Sequence, residues 1–138
     1  MEVDSNQKDV YMVEWERLSK GTFWEYLGAQ VETVDDRQVV VSLEIKPHHH
    51  NLIGIVHGGV HATLLDSAMG LLAMMNRPNC NVVTTNLNMN YVAKSSSGKM
   101  IVTAELIHTS RKMITAHAFA RMDNGDLCAF GTGTFRVS

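Results

Sequence analysis

Apolar and polar positions divide the chain into regimes of different period. From Lys8 to Ser19, Val10, Val13, Arg17 and Leu18 recur at helical spacing with Tyr11 and Trp15 alongside, which predicts a short amphipathic helix. "TFWEYLG" adds one more turn, stopped by Gly28. From Ala29 the period becomes 2. "AQVETV" and "RQVVVSLEI" alternate around Asp35 and Asp36, the pattern of a hairpin, and Pro47 closes its second strand. "HHHNLIGIV" reads as a loop. Gly58 to about Asn76 is apolar on nearly every side and is the only long helix predicted; "RPN" ends it.

Alternation then resumes. "NVVTTNLNMNYVAK" predicts a strand with Val83, Thr85, Leu87, Met89 and Tyr91 on one face and Thr84, Asn86, Asn88 and Asn90 on the other. "SSSG" is a turn. "KMIVTAELIHTS" and "RKMITAHAFARM" are strands joined through "SR", "DNGD" is a hairpin turn, and "LCAFGTGTFRV" is a last strand. A hairpin, one long helix and four strands joined by short turns make an α+β domain with an antiparallel sheet. A helix apolar all round must be covered on most sides. The sheet is therefore expected to curl around it, with a second chain closing what remains.

Composition narrows the function. The 138 residues, 45% apolar, suit one domain, 1–138, with 1–27 as an N-terminal helical segment. A net charge of -2 gives no basic excess for a nucleic-acid surface. Cys80 and Cys128 match no metal spacing and make no disulfide framework, which points to a reducing compartment. "MEVDSNQKDV" is neither a signal nor a transit peptide, and the longest apolar run, Met69 to Met75, is far too short to span a bilayer. The expectation is a soluble cytoplasmic protein with no partner nucleic acid, membrane or metal.

Asp66 breaks the apolar helix. A carboxylate there needs a partner. Thr63 or Ser67 is the structural candidate; the functional alternative is a general base or nucleophile whose pKa is raised by an apolar setting. Gly58 and Gly59 stand where the helix begins, and its first turn offers unpaired N–H groups to an oxyanion. A plain Gly-Gly turn that lets the helix pack is the alternative. Asp66 follows Gly59 by seven residues, roughly 10 Å along the axis. That is too far for both to act on one carbonyl from the same helix, so cooperation requires two chains. His57 is either an orienting or donating group or a structural one. His48, His49 and His50 cannot easily converge on one ion and read as exposed loop histidines; His61 fills a helix face. Neither a G-x-S-x-G elbow nor a phosphate-binding loop occurs.

From about Leu27 to Val137 the chain resembles the hotdog-fold thioesterases of the PaaI acyl-CoA type. The resemblance is carried by "LGAQVETV", the N-x-x-G-x-V-H-G-G pattern from Asn51 to Gly59, "LLDSAMG", "LNMNYVA" and "GTGTFRV". It implies a curled sheet of five or six strands around one helix, paired into homodimers and usually dimers of dimers. It also implies hydrolysis of an acyl-CoA thioester without a metal or bound cofactor. Asp66 matches the carboxylate that activates water or attacks the thioester, and Gly58 the N–H that polarises the carbonyl. His57 and Asn51 match polar residues around that carbonyl and water, and Thr84 a hydroxyl that positions the water. Thr85 is adjacent, and a slip of one residue exchanges the faces. Gly59 and Thr85 join the expected substrate contacts, with Lys94, Arg111 and Lys112 as candidates for the CoA phosphates. Two rivals remain: a non-catalytic acyl-CoA-binding hotdog protein, and a dehydratase pairing Asp66 with His57 or His61.

Overall fold

The alternating segments pair into one antiparallel sheet in the order β1-β2-β4-β5-β6-β3. The strands are β1 (Gln30–Val34), β2 (Gln38–Glu44), β3 (Val82–Tyr91), β4 (Lys99–Thr109), β5 (Met113–Met122) and β6 (Leu127–Val137). They follow α1 (Ser5–Ser19) and α2 (Phe23–Leu27), and α3 (Gly58–Asn76) separates β2 from β3. The computed structural model describes residues 5–138. After α3 the chain crosses to the far edge of the sheet to make β3, then returns to lay β4 beside β2. This crossing leaves β1 and β3 as the two edges.

The sheet curls around α3, and the core is the seam between them. Leu64, Leu65, Ala68, Met69 and Leu72 of α3 are fully buried against Val39, Val41, Met100, Val102, Ile114 and Phe135. Each large aliphatic side chain so buried contributes about 1.5–3 kcal/mol. Gly131 and Gly133 hollow the inner face of β6: a side chain at Gly133 would meet Met69 at 3.0 Å, and one at Gly131 would lie 2.2 Å from the Asn88 carbonyl oxygen. Gly28 takes the left-handed conformation (φ 86°) that ends α2, as its position after "FWEYL" predicts.

Three expectations are corrected. The packed face of α1 is Tyr11, Met12 and Trp15, whereas Val10 (67% exposed) and Val13 (66%) face outward with Leu18. The larger side chains, including the aromatics, bury more apolar area and decide the rotation of the helix. In β3 the alternation slips, because a bulge sets Thr84 opposite Phe135 and Asn86 opposite Thr134, leaving Thr85 as the extra residue. Thr84 therefore shares the inner face with Leu87, Met89 and Tyr91, and Val83 points outward, 60% exposed. Nor is α3 sealed on every side, since Thr63, Asp66, Ser67, Gly70 and Met74 form a half-open stripe.

The histidine run is likewise not uniformly exposed. His49, in the 3-10 turn Pro47–His49, is only 2% exposed. Its Nδ1 accepts from the Lys46 N–H at 2.9 Å, so its Nε2 carries the proton and donates to the Leu27 carbonyl at 2.7 Å. Burial pushes its pKa below the ordinary histidine value, against the opposing effect of the Leu27 carbonyl. His50 reaches across to the Ser96 carbonyl at 2.7 Å, and His48 lies edge-on to Tyr26. The run is a clasp between the end of α2 and the loop that leads into α3. Among the described residues no helix is long and apolar enough to cross a membrane.

Candidate active site

The start of α3 is built from the loop upward. Asn51 folds the loop on itself: its Oδ1 accepts from the Ile53 and Ile55 N–H groups at 3.0 and 3.2 Å. That carboxamide oxygen is thus engaged in shaping the turn. The His57 N–H donates to the His49 carbonyl at 2.9 Å, which ties helix entry to the buried clasp. His57 then caps the helix, its Nδ1 accepting from the Gly59 N–H at 2.8 Å, while its carbonyl accepts from Val60 at 2.9 Å. The Gly59 donor is spent on this cap. The Gly58 N–H has no acceptor among the described residues, as expected of a first-turn donor. It is available to an outside acceptor.

Two turns along, Asp66 lies in the half-open stripe of α3. The Thr84 hydroxyl donates to its Oδ1 at 2.8 Å. Neither helical neighbour serves as its partner: Thr63 donates to the Gly59 carbonyl at 2.8 Å instead. The bulge in β3 makes the Thr84 contact possible. It turns Thr84 inward and leaves the Thr85 hydroxyl to donate to the Thr134 carbonyl at 3.1 Å. Asp66 Oδ2 carries no hydrogen bond among the described residues, so one oxygen is held and the other is open.

The structure therefore brings Asp66 and Thr84 together at one place, and His57, Gly58 and Gly59 at another. Tyr91, which stands outside the Asn51–Gly59 motif, joins the second group: its hydroxyl donates to the Gly58 carbonyl at 2.9 Å. His61, 4% exposed, packs edge-on against the Tyr91 ring at 5.8 Å, and burial lowers its pKa. Five helical residues rotate it about 140° from Asp66, so the two do not face one substrate from the same chain. The cations separate too. Ala93, next to Lys94, donates to the Cys128 carbonyl, whereas the Val137 N–H donates to the Lys112 carbonyl. Cys128 and Val137 stand nine residues apart on β6, so Lys94 lies about 30 Å from Arg111 and Lys112 within one chain. No group of three or more His, Cys, Asp or Glu side chains suited to a metal occurs among the described residues.

This geometry has counterparts among known proteins. The sequence profile of the thioesterase superfamily matches residues 53–129, from the Asn51 loop through α3 and into β6. The chain is 31% identical over 88 residues to the 1,4-dihydroxy-2-naphthoyl-CoA hydrolase of Listeria monocytogenes, covering 63% of this chain and 72% of that protein. It is 26% identical over 103 residues to acyl-coenzyme A thioesterase 13 of Mus musculus, covering 70% and 71%. A Haemophilus influenzae thioesterase superposes with a TM-score of 0.85 at 20% identity, over 92% of this chain and 90% of that one, which confirms the fold. With its curled six-stranded sheet around one helix and its matching profile, this chain belongs to the thioesterase superfamily of thioester hydrolases and has the hotdog fold expected from its sequence.

Proposed function

We propose that this protein is a PaaI-type acyl-CoA thioesterase whose site is completed across a homodimer. The observation that carries the reading is the Thr84–Asp66 hydrogen bond of 2.8 Å, which orients one carboxylate oxygen and leaves the other open. Asp66 takes a proton from water, the hydroxide adds to the thioester carbonyl, and the Gly58 N–H receives the developing oxyanion. Collapse of the tetrahedral intermediate breaks the C–S bond. CoA leaves as a thiolate that takes the proton back from Asp66 to become the free thiol, and the acyl group leaves as the free acid. Such hydrolysis needs only water and the substrate.

The edge strand supports the dimer. β3 is ten residues long and unpaired on one side, with Val83 (60%) and Tyr91 (56%) exposed in the single chain. A long open edge invites pairing with another strand. Thr84 lies near the start of β3 and Tyr91, with Gly58, at its end. An antiparallel second copy would set its Gly58 beside the Asp66 and Thr84 of the first. The same twofold would carry Lys94 of the partner subunit towards Arg111 and Lys112, giving the CoA phosphates cations from both chains.

The test is a panel of hexanoyl-, palmitoyl-, benzoyl- and 1,4-dihydroxy-2-naphthoyl-CoA scored by release of free thiol. At least one should be hydrolysed, and Asp66→Asn should lower its turnover by about 10²–10⁴-fold. Binding of the panel without turnover would instead establish a non-catalytic acyl-CoA-binding protein. Wild-type turnover in Asp66→Asn would remove Asp66 from the mechanism.

A further inference from the structure

Gly58 poses a problem for the chemistry proposed above. An oxyanion donor is effective only when it is held in place before the charge develops. Glycine is the residue least able to hold its own backbone. Something outside Gly58 must fix it.

Two peptide planes meet at Gly58. The preceding one is held by the Val60 N–H, which donates to the His57 carbonyl at 2.9 Å. The following one, between Gly58 and Gly59, is held at both ends. Its N–H donates to His57 Nδ1 at 2.8 Å, and its carbonyl accepts the Tyr91 hydroxyl at 2.9 Å. His57 comes from the helix cap itself, but Tyr91 comes from the end of β3. That end is anchored in turn, since the adjacent Val92 N–H donates to the Cys128 carbonyl at 2.8 Å. The phenol ring also lies against Gly58, where a Cβ would sit 3.4 Å from its atoms, and His61 packs edge-on to it. Sheet and helix are thereby locked together at the residue whose N–H stays free.

We propose that Tyr91 is a positioning residue for the thioester hydrolysis: its hydroxyl clamps the Gly58 carbonyl and so keeps the Gly58 N–H aimed at the substrate carbonyl. The proposal rests on the oxyanion role given to Gly58. Tyr91 transfers no proton and touches no reacting atom. Its contribution is a hold from the sheet on the Gly58–Gly59 peptide plane, added to the helix's own bond that holds the plane carrying the donor.

Tyr91→Phe removes the hydroxyl and keeps the ring against Gly58 and His61. Misplacing a reacting group by about 1 Å costs on the order of 10²-fold. The expected result is a fall in kcat of about 10- to 100-fold, with unchanged affinity for a non-hydrolysable thioether analogue of the best panel substrate. A second readout is independent of turnover. Benzoyl-CoA bound to Asp66→Asn should show its thioester carbonyl stretch shifted to lower frequency by the Gly58 hydrogen bond, and adding Tyr91→Phe should reduce that shift. An unchanged kcat and band position, or an equal loss of kcat and analogue affinity, would overturn the proposal. If Asp66→Asn also kept wild-type turnover, the underlying mechanism would fail; if only Tyr91→Phe were silent, the clamp alone would.

Discussion

Replacing His49 by alanine should destabilise the whole domain although its ring bonds to neither Asp66 nor Gly58. The ring is 2% exposed and joins two backbone groups, the Leu27 carbonyl at 2.7 Å and the Lys46 N–H at 2.9 Å. Stranding the Leu27 carbonyl costs about 1–3 kcal/mol, and losing the bond to the more exposed Lys46 amide costs about 0.5–1.5 kcal/mol. A total of about 1.5–4.5 kcal/mol is a large part of ordinary domain stability. In urea it should lower the unfolding midpoint by about 1–2 M. The pH dependence provides a second check. Burial lowers the folded-state pKa of His49, and of His61, below the ordinary value of 6.5. Their neutral forms contribute fully above that value. As pH falls below it, the unfolded chain binds protons first and stability drops, by up to about 1.4 kcal/mol per pH unit for each group, until the folded state is protonated. His49→Gln should make this slope shallower. A His49→Ala midpoint equal to wild type, or equal wild-type stability at about pH 7.5 and 5.5, would refute the clasp.

Other substitutions address the sheet and the carboxylate. Gly131→Ala places a Cβ 2.2 Å from the backbone oxygen of Asn88, so β3 must move off β6. It should destabilise by about 1–3 kcal/mol or more in chemical denaturation and weaken dimerisation in sedimentation. Thr84→Val removes the donor to Asp66 at constant shape and should lower kcat by about ten- to a hundred-fold, the equivalent of one hydrogen bond to a charged group. Thr85→Val is the contrasting variant, since that hydroxyl bonds to Thr134 and not to Asp66, and its kcat should fall much less than that of Thr84→Val.

The order of elements was legible because period, turn chemistry and caps agree from Ala29 to Val137. The helix beginning at Gly58 and the stop at Gly28 are local signals of this kind. The bulge in β3 left no such trace. "VVTTN" alternates acceptably in either phase, and only the pairing with β6 selects the one that turns Thr84 to Asp66. The burial of His49 is hidden from the sequence for a related reason, because its two partners, Leu27 and Lys46, meet it only once the loop has folded over α2. Val10 and Val13 show that helical spacing fixes a stripe but not which stripe meets the core. Within the site, the residue types at Asn51, His57, Gly58 and Asp66 were visible as a motif. The clamp by Tyr91 was not, since it depends on the end of a strand meeting the start of a helix 33 residues earlier.

In the proposed dimer the Asp66 carboxylate and the Gly58 N–H serve one thioester from two different chains. Complementation tests it directly. Asp66→Asn and Gly58→Val are each expected to be inactive as homodimers. They should be unfolded and refolded together at equal concentrations, and CoA release measured on the best panel substrate. Half of the resulting dimers are mixed, and each mixed dimer contains one site with both groups intact, so activity should return to about a quarter of the wild-type level. If Asp66 and Gly58 act within one chain, every site in the mixture lacks one of them. Activity that stayed at the level of the separate variants, with mixed dimers shown to have formed, would rule out a site shared between chains.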